Sequence, residues 1–358
     1  MPTQMKAEAP PFVPAQQQPA LPMAPTAAPE ETKSSRTSWC DEPVDAEEVP
    51  SIERVTSETE APAKHSASAL RRMRRKRASE RLRSEVEPRG SEEALDMEKL
   101  RKRLDTDPNG VARQLRGQVY ALACDAKHCR LLQEVLERCS SREGQPLAEE
   151  LEGYVWELST HPHGNYVVQK MVSHLSAAAS DLVAQELRHF AVRAAKNRQA
   201  CRILCRLMEF RGAGGPTWYL IEELLGEVGA LCFHSYAHHV IQSVLEHGEA
   251  DQKHRIAQAL LADAFRFATH KHSSYLIEKV LDYCSEEDRG QLINSLGKPQ
   301  MLLELAQTQY GSYVARALLR DDHVDAEKAM RLFRQHQGEL EQSKHGFRLL
   351  SDLGLIQA

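Results

Sequence analysis

Six short segments of the chain place one planar or cationic side chain between two side chains that can form hydrogen bonds. In HGNYVVQKMV (163–172), Tyr166 lies between Asn165 and Gln169. An amide can donate to and accept from the edge of a nucleobase, and a Tyr, Arg or His side chain can stack on its face. This combination predicts a surface that binds the bases of a single-stranded nucleic acid.

The same triplet pattern, at positions i, i+1 and i+4, recurs six times between residues 129 and 316. The middle residues of successive triplets are 36, 36, 37, 36 and 38 positions apart. Stacking of one base on such a side chain contributes about 1–3 kcal/mol, so six in series would give useful affinity. The triplets are Cys129, Arg130, Gln133; Asn165, Tyr166, Gln169; Cys201, Arg202, Cys205; His238, His239, Gln242; Ser274, Tyr275, Glu278; and Ser312, Tyr313, Arg316.

A fixed period of this length is typical of stacked supersecondary units. From about residue 107 onward the pattern predicts two helices per unit. Pro162 and Gly164 predict a break between two helices at residues 160–164. One buried helical face is predicted before that break from the spacing of Leu147, Leu151, Tyr154, Val155 and Leu158.

The helix after the break is predicted to begin near Asn165. One side of it carries the apolar residues Val167, Val168, Met171, Val172 and Leu175. The triplet falls on the other side, so we expect it to face away from the core, on a surface that stacking aligns from unit to unit. These features predict an all-α fold, a right-handed superhelical α-solenoid.

The composition changes along the chain and predicts three regions. Residues 1–63 form a Pro/Ala/Ser/Glu-rich tail that we expect to be disordered, and residues 64–91 form a basic linker. The linker contains RRMRRKR (71–77), which fits a solvated tail, a nuclear-localisation patch or an auxiliary RNA contact. Residues 92–358 form the repeat domain, in which 92–104 is predicted to be a helix that caps the first repeat.

The overall composition argues for a soluble protein without a catalytic centre. The net charge is −5, and residues 1–90 hold 14 basic and 14 acidic residues, so the excess of acid lies in the repeats. No signal peptide or apolar run of about 20 residues is evident, and no membrane association is expected. No four Cys and His residues show zinc-ligand spacing, and no phosphate-cradling loop or nucleophile elbow occurs. We therefore expect no metal, no cofactor and no enzymatic activity.

The 36-residue period and the triplets CRxxQ, NYxxQ and SYxxE resemble the Pumilio (PUF) family of RNA-binding proteins over about residues 107–358. The resemblance implies Pumilio-type, armadillo-like repeats. HGFRLLSDLGL (345–355) resembles the family's C-terminal cap, which we place near 340–358. The family typically has eight repeats, whereas a step of 36 residues back from Arg130 reaches Ala94, where no triplet matches. The chain thus resembles a shortened member with about six repeats.

The resemblance also implies a base for three of the triplets. By the family's code, Cys129, Arg130 and Gln133 imply adenine, and the Asn165 triplet implies uracil. Ser274 and Glu278 imply guanine. The family binds RNA antiparallel to the protein, so the C-terminal repeats would bind the 5′ end of a UGUA-type element.

Three triplets depart from the code. Cys205 stands where Gln is expected, His238 replaces Asn or Ser, and Arg316 matches no standard code and would suit a phosphate contact. At the His238 triplet uracil is the expected base.

By resemblance, we expect sequence-specific binding of single-stranded mRNA at 3′ UTR elements, with post-transcriptional repression of translation or of mRNA stability. The implied partners are mRNA-decay or translation-repression proteins, the chain would be a monomer, and its location would be cytoplasmic, with nuclear entry through residues 71–77. Two alternatives stay open: a nuclear or nucleolar rRNA-processing factor with little sequence preference, favoured by the basic run and the altered triplets, and a protein-binding solenoid scaffold that has lost RNA reading, favoured by the acidic balance.

Overall fold

The computed structural model describes residues 96–356. Within this range the regular structure consists of 22 helices and contains no strand, which confirms the predicted all-α solenoid. The predictions for residues 1–63, 64–91 and 92–95 lie outside the described residues. No helix between residues 97 and 352 combines the length and the apolar character needed to cross a membrane.

Six units follow one another, each with a short first helix, a middle helix that carries a triplet, and a third helix. They are preceded by α1 (Met97–Leu104) and α2 (Pro108–Leu115). Units 1–3 are α3 (Val119–Cys124), α4 (Cys129–Arg138), α5 (Ser141–Glu149); α6 (Val155–Thr160), α7 (Gly164–His174), α8 (Ala177–Leu187); and α9 (Ala191–Ala195), α10 (Ala200–Arg211), α11 (Thr217–Leu225). Units 4–6 are α12 (Val228–Leu231), α13 (Ala237–His247), α14 (Ala250–Leu261); α15 (Ala264–Thr269), α16 (Ser274–Tyr283), α17 (Glu286–Leu296); and α18 (Pro299–Ala306), α19 (Gly311–Leu318), α20 (Ala326–Gln335). The last helices are α21 (Gln337–Glu341) and α22 (Lys344–Asp352).

The prediction of two helices per unit is wrong, because the structure has three. The residues from Leu147 to Leu158 are predicted to share one helical face, and Leu147, Leu151, Val155 and Leu158 are indeed fully buried. They belong to two helices, however, since α5 ends at Glu149 and Gly153 has a φ of +87° that no right-handed helix accommodates. Because α6 has only six residues, its pattern of apolar residues cannot be distinguished in the sequence from that of the neighbouring helix.

Two rows of helices hold the units together. The middle helices pack in sequence, α4 on α7, α7 on α10, α10 on α13, α13 on α16, α16 on α19 and α19 on α22. The third helices form the second row, from α2 to α17. The core lies between the rows, and in unit 2 it includes Val167, Val168, Met171 and Val172, as predicted. Each fully buried side chain of this size contributes about 1.5–3 kcal/mol.

A carboxylate fixes the entry into each of the first three units. The Glu150 carboxylate accepts hydrogen bonds from the backbone N–H groups of Gly117 and Val119, at 2.7 and 3.3 Å. Glu186 binds Gly153 and Val155 in the same way, and Glu223 binds His189 and Ala191. Burial raises the pKa of Glu150, while the two N–H donors oppose that rise.

The first donor of each of these carboxylates has a left-handed backbone. Its φ is +85° at Gly117, +87° at Gly153 and +67° at His189. This conformation aims the N–H at the carboxylate of the third helix. His189 is the only residue other than glycine with a positive φ among residues 96–356.

Candidate nucleic-acid interface

The loop before each middle helix contains an acceptor side chain that fixes the helix start. The carboxylate of Asp125 accepts from the backbone N–H groups of Lys127 and His128, both at 2.9 Å. The ring nitrogen of His161 accepts from His163 and Gly164, at 3.2 and 3.1 Å. These bonds satisfy N–H groups that a helix start otherwise leaves unpaired. The acceptors of the six units are Asp125, His161, Asn197, His234, His270 and Thr308.

The triplet pattern alone does not reveal these acceptors, although the sequence contains a signal for them. Each lies four residues before the first member of a triplet, so the acceptors recur with the same steps as the triplets. They set where the first turn begins and therefore which side chains project from it. We call each triplet so placed a station and number it after its unit.

The first residue of every station is buried, which corrects the expectation that whole triplets face away from the core. The six side chains in this position are between 0 and 9% exposed. Neighbouring middle helices approach so closely that this position lies between them. In unit 4, for example, the ring of His238 is 4.7 Å from that of His272, which precedes the next middle helix.

The second residues differ in how much of the side chain is available for stacking. Tyr275 is 55% exposed, and Tyr313 and Arg130 are also exposed. Tyr166 and His239 are half-buried. Arg202 is only 6% exposed, so the platform expected at station 3 is covered.

Station 2 is a closed hydrogen-bond network. The amide of Asn165 donates to the backbone carbonyls of His161 and Pro162, at 2.8 and 2.9 Å. Its oxygen accepts from the Gln169 amide at 3.0 Å. The remaining N–H and the oxygen of Gln169 then offer one donor and one acceptor, which match the N–H and carbonyl groups of a uracil edge.

Station 5 combines an exposed ring with an acidic edge. Ser274 is buried in the first turn of α16, Tyr275 projects beside it, and Glu278 follows one turn later in a half-buried position. A carboxylate accepts hydrogen bonds only, so it suits the two N–H donors of a guanine edge. The next residue, Lys279, is paired with Glu246 of unit 4 at 2.7 Å, so its charge is directed towards that unit.

Station 4 lies in a group of histidines. The rings of His238 and His239 are 3.9 Å apart, and Nδ1 of His238 lies 2.9 Å from the carbonyl oxygen of His234. Burial lowers the pKa of His238 to about 4 and that of His239 to about 3, with further lowering from His272. Both rings are therefore neutral at neutral pH. Among residues 96–356, no three or more His, Cys, Asp or Glu side chains are placed to hold a metal ion.

Stations 1, 3 and 6 make contacts along the row of middle helices. Arg130 lies 3.5 Å from Glu134, which also faces Arg101 of α1 at 3.8 Å. The thiol of Cys205 donates to the backbone carbonyl of His239 in the next unit, at 3.7 Å. The first residues Cys201 and Ser312 and the third residue Gln133 lie at the same helix positions as the equivalent residues of the other stations.

Arg316 is predicted to suit a phosphate contact, but the structure pairs it within the protein. Its guanidinium donates to the Asp352 carboxylate of α22 at 2.9 Å. The same group lies 5.6 Å from the centre of the Tyr313 ring. The pair of Arg316 and Asp352 thus links station 6 to α22.

Comparison with known proteins agrees with this repeat structure. A family model described as "Pumilio-family RNA binding repeat" matches residues 118–152, 154–188, 227–261, 264–296 and 302–315. The matches fall in units 1, 2, 4, 5 and 6. Unit 3, where the platform is buried and Cys205 replaces Gln, lies outside them.

Proteins named pumilio homologs and solved Puf RNA-binding domains are similar to this chain. Putative pumilio homolog 7, chloroplastic, of Arabidopsis thaliana is 26% identical over 57% of this chain and 32% of its own length, and pumilio homolog 9 is 25% identical over 64% and 41%. The chain thus spans about a third to two fifths of these curated relatives. The structure of the Puf3 RNA-binding domain bound to Cox17 RNA 3′ UTR recognition sequence site B has a TM-score of 0.65 at 19% identity, over 81% of this chain and 87% of that chain. For yeast Puf5p bound to MFA2 RNA the TM-score is 0.53 at 23% identity, over 66% of each chain.

The similarity to solved structures shows that the fold is shared. The matches to the family model identify the repeats. The period, the row of stations and the matched repeats lead to one conclusion. The chain belongs to the Pumilio family of RNA-binding repeat proteins.

Proposed function

We propose that the row of stations binds single-stranded RNA in a sequence-specific way, at elements of the UGUA type. The observation that carries this proposal is the alignment of six stations on middle helices packed in one continuous row. The second and third residues occupy equivalent positions of the middle helix in every station, although Arg202, Cys205 and Gln169 are at most 7% exposed. The solved Puf3 neighbour is bound to an RNA 3′ UTR recognition sequence, which supports the same ligand class here.

The order of the stations gives a six-nucleotide target. With the RNA antiparallel to the protein, station 6 takes the 5′ nucleotide and station 1 the 3′ nucleotide. Station 5 then binds guanine in position 2, station 2 binds uracil in position 5, and station 1 binds adenine in position 6. The family's UGUA-type element supplies uracil at stations 4 and 6 and adenine at station 3, where the triplets depart from the code, and the full element is then UGUAUA.

The geometry supports strong selection at some positions and weak selection at others. Station 5 has an exposed ring and a carboxylate, and station 2 has an oriented Gln169, so both can discriminate by complementary hydrogen bonds. Station 3 combines a covered Arg202 with a thiol in place of an amide, and sulfur is a weak hydrogen-bonding group. We expect guanine in position 2 to be the most selective contact.

Binding of the full chain to UGUAUA and UUUAUA tests this assignment directly. We expect a preference for guanine of about tenfold or more, since one good bidentate base contact discriminates by about 1–3 kcal/mol. Glu278→Ala should remove the preference, and Ser274→Asn with Glu278→Gln should reverse it towards uracil because it reproduces the residues of station 2.

The matched control is Glu287→Gln, which removes one exposed carboxylate from the third helix of the same unit. Its guanine preference should equal that of the wild type. Equal affinity of the wild type for both RNAs, with tight binding to each, would contradict sequence-specific reading. It would favour the second candidate, an RNA binder with little sequence preference, which the buried Arg202 and the unmatched unit 3 support.

We further propose that binding occurs at mRNA 3′ UTR elements and lowers translation or mRNA stability through decay or repression proteins. Cytoplasmic location, with nuclear entry through residues 71–77, belongs to the same proposal. A reporter mRNA with UGUAUA in its 3′ UTR should be expressed at a lower level when the chain is present. The Ser274→Asn/Glu278→Gln variant should instead lower a reporter that carries UUUAUA.

A further inference from the structure

Unit 3 differs from most other units in the turn between its middle helix and its third helix. In units 1, 2, 4 and 5 two residues separate these helices, for example Gly248 and Glu249 in unit 4. In unit 3 five residues, 212–216, lie between the end of α10 and the start of α11. Gly212 and Gly215 in this turn both have a φ of +57°, a conformation that favours glycine. The longer turn therefore sets unit 3 apart from units 1, 2, 4 and 5.

Three exposed aromatic side chains flank this turn, and we call them the aromatic patch. Phe210 near the end of α10 is 47% exposed, and Trp218 and Tyr219 in the first turn of α11 are 42% and 44% exposed. They are three of the eight large apolar side chains that are exposed within residues 96–356. Single exposed apolar side chains are ordinary, whereas several together mark a surface that binds another molecule.

The two rings of α11 do not belong to the repeat pattern. In unit 2 the equivalent positions, counted from the carboxylate that fixes the entry into each unit, hold Asp181 and Leu182 in place of Trp218 and Tyr219. Unit 3 also lies outside the repeats that the family model matches. The packing of the repeats therefore does not explain the presence of these rings.

Trp218 and Tyr219 form a corner with two aromatic walls. Their ring centroids are 5.2 Å apart, and the planes of the rings meet at 88°. The guanidinium of Arg188, in the connection after α8, lies over the Tyr219 ring at 4.1 Å from its centre. A flat apolar group that enters the corner can contact both rings at once.

The charges around the patch are suited to an acidic partner. Arg188 is exposed and forms no ion pair within residues 96–356. The neighbouring carboxylates each have a basic partner at 2.7–3.2 Å: Asp181 with Arg211, Glu209 with Arg206, and Glu222 with Arg255. A carboxylate brought to the patch would therefore meet a cation and no unpaired acid.

We propose that the aromatic patch and Arg188 bind a short proline-rich segment of a partner protein, with an acidic residue beside the prolines. Grooves lined by aromatic side chains bind such segments in the polyproline II conformation. This conformation is preformed, so little order is lost on binding, and its carbonyls have no internal hydrogen bonds. The indole N–H of Trp218 can donate to one of these carbonyls, and Arg188 can pair with the acid. The inference goes beyond the proposed function and does not depend on it.

The position of the patch favours a peptide over RNA. Phe210 lies eight residues beyond Arg202 in α10, about 12 Å along the helix, so the patch is outside the row of stations. Binding of a polyanion requires many cations, and the patch offers one. A partner helix needs a groove that accepts anchors over two helical turns, whereas the patch is confined to one turn of the chain and the helix ends beside it.

Fluorescence polarisation with the full chain and three labelled decapeptides tests the proposal. The first peptide has eight prolines followed by two glutamates. The second has alternating glycine and serine in place of the prolines, and the third has two lysines in place of the glutamates. We expect saturable binding of the first peptide, binding about tenfold or more weaker for the second because the apolar anchors are lost, and binding several-fold weaker for the third because Arg188 repels it.

Trp218→Ala and Tyr219→Ala should each weaken binding of the first peptide about tenfold or more, as truncation of a central aromatic anchor does. Arg188→Glu should reverse the preference between the glutamate and the lysine peptides. The matched control is Tyr283→Ala, which removes an exposed ring at the place in α16 that corresponds to Phe210, in a unit whose third helix has no aromatic residue. The control should bind like the wild type, and unfolding curves of all variants check that the fold is retained.

The other outcomes would overturn the proposal. Equal binding of the proline and the glycine–serine peptides would exclude recognition of proline, and no binding of either would exclude a peptide site of this kind. Binding that none of the three patch substitutions changes would place the peptide elsewhere. Binding of a labelled octauridylate that Trp218→Ala abolishes, without binding of the peptides, would assign the patch to RNA. None of these measurements uses UGUAUA, so failure of the proposed function would leave this test intact.

Discussion

The side chains of Asn165 and Gln169, both predicted to contact a base, bind each other. Nε2 of Gln169 donates to Oδ1 of Asn165 at 3.0 Å, while the Asn165 amide donates to two backbone carbonyls of the preceding loop. Asn165 is 1% exposed and uses both of its N–H groups inside the protein. Its role at this station is therefore to hold Gln169 in one orientation. Under the proposed function, Gln169, itself 7% exposed, is the residue of this pair that contacts uracil.

Asn165→Ala should lower the free energy of unfolding by about 1–3 kcal/mol, because the Pro162 carbonyl and the Gln169 amide lose the Asn165 side chain as a partner. The His161 carbonyl keeps only its hydrogen bond from the backbone N–H of residue 165. Urea unfolding followed by circular dichroism measures the loss. The control Gln185→Ala removes an exposed amide from α8 and should change the stability little. Similar losses in the two variants would contradict the network. Uracil selectivity at position 5 should also fall in the Asn165 variant.

His189→Gly should stabilise the protein by about 0.5–1 kcal/mol, because a left-handed backbone costs about 1–2 kcal/mol for residues with a Cβ. His189 adopts a φ of +67° in the place where the preceding units have Gly117 and Gly153. The hydrogen bonds from the backbone to Glu223 do not require the side chain. Thermal and urea unfolding measure the gain, and Gln185→Gly in a helix should show the opposite sign. A loss of stability in His189→Gly would mean that its ring contributes more than the strain costs.

Stability should fall steeply as the pH drops below about 6.5, the ordinary pKa of histidine. Burial lowers the pKa of His238 to about 4 and that of His239 to about 3, and it also lowers the pKa of His161, His234 and His270. The unfolded chain therefore takes up these protons first, so the stabilisation is complete above the ordinary pKa and is lost as the pH falls towards the folded values. For His238 and His239 the loss is about 1.4 kcal/mol per pH unit for each group within that window.

Urea unfolding between about pH 7.5 and about pH 4.5 tests this dependence, since the window spans the ordinary pKa and approaches the lowered ones. His238→Asn with His239→Tyr reproduces the station 2 pattern and should make the slope shallower by removing two of the groups. Gln185→Ala, at an exposed position of α8 and with no change in titratable groups, is the control and should leave the slope as in the wild type. Identical slopes in all three proteins would exclude the buried pair as a source of the acid sensitivity.

Cys205→Gln should create selectivity for adenine in position 4 of the RNA. The substitution gives α10 the Cys–Arg–Gln pattern of station 1, with an amide arm that a thiol lacks. Comparing UGUAUA with UGUCUA measures the effect, and we expect the ratio of affinities to rise several-fold over that of the wild type. The control is Ser141→Gln, which adds the same amide at an exposed position of α5, outside the stations. An unchanged ratio in Cys205→Gln would mean that the buried Arg202 blocks the station.

Residue spacing alone predicts the period, the all-α class and the position of every triplet, because side chains three and four residues apart share a helix face whatever surrounds the helix. This rule places Val167, Val168 and Met171 in the core, and all three are fully buried there. The same local rule did not separate α5 from α6, since the break depends on the left-handed backbone of Gly153 and its bond to Glu186 from another helix.

Which triplet residues are accessible depends on the packing between units. The spacing of Arg202 and Tyr275 in their units is the same, yet one is 6% exposed and the other 55%. Accessibility depends on how closely neighbouring middle helices pack and on contacts between units, such as that of Cys205 with His239 and that of Arg316 with Asp352. These contacts join residues 34 and 36 positions apart, a separation over which helical periodicity carries no information.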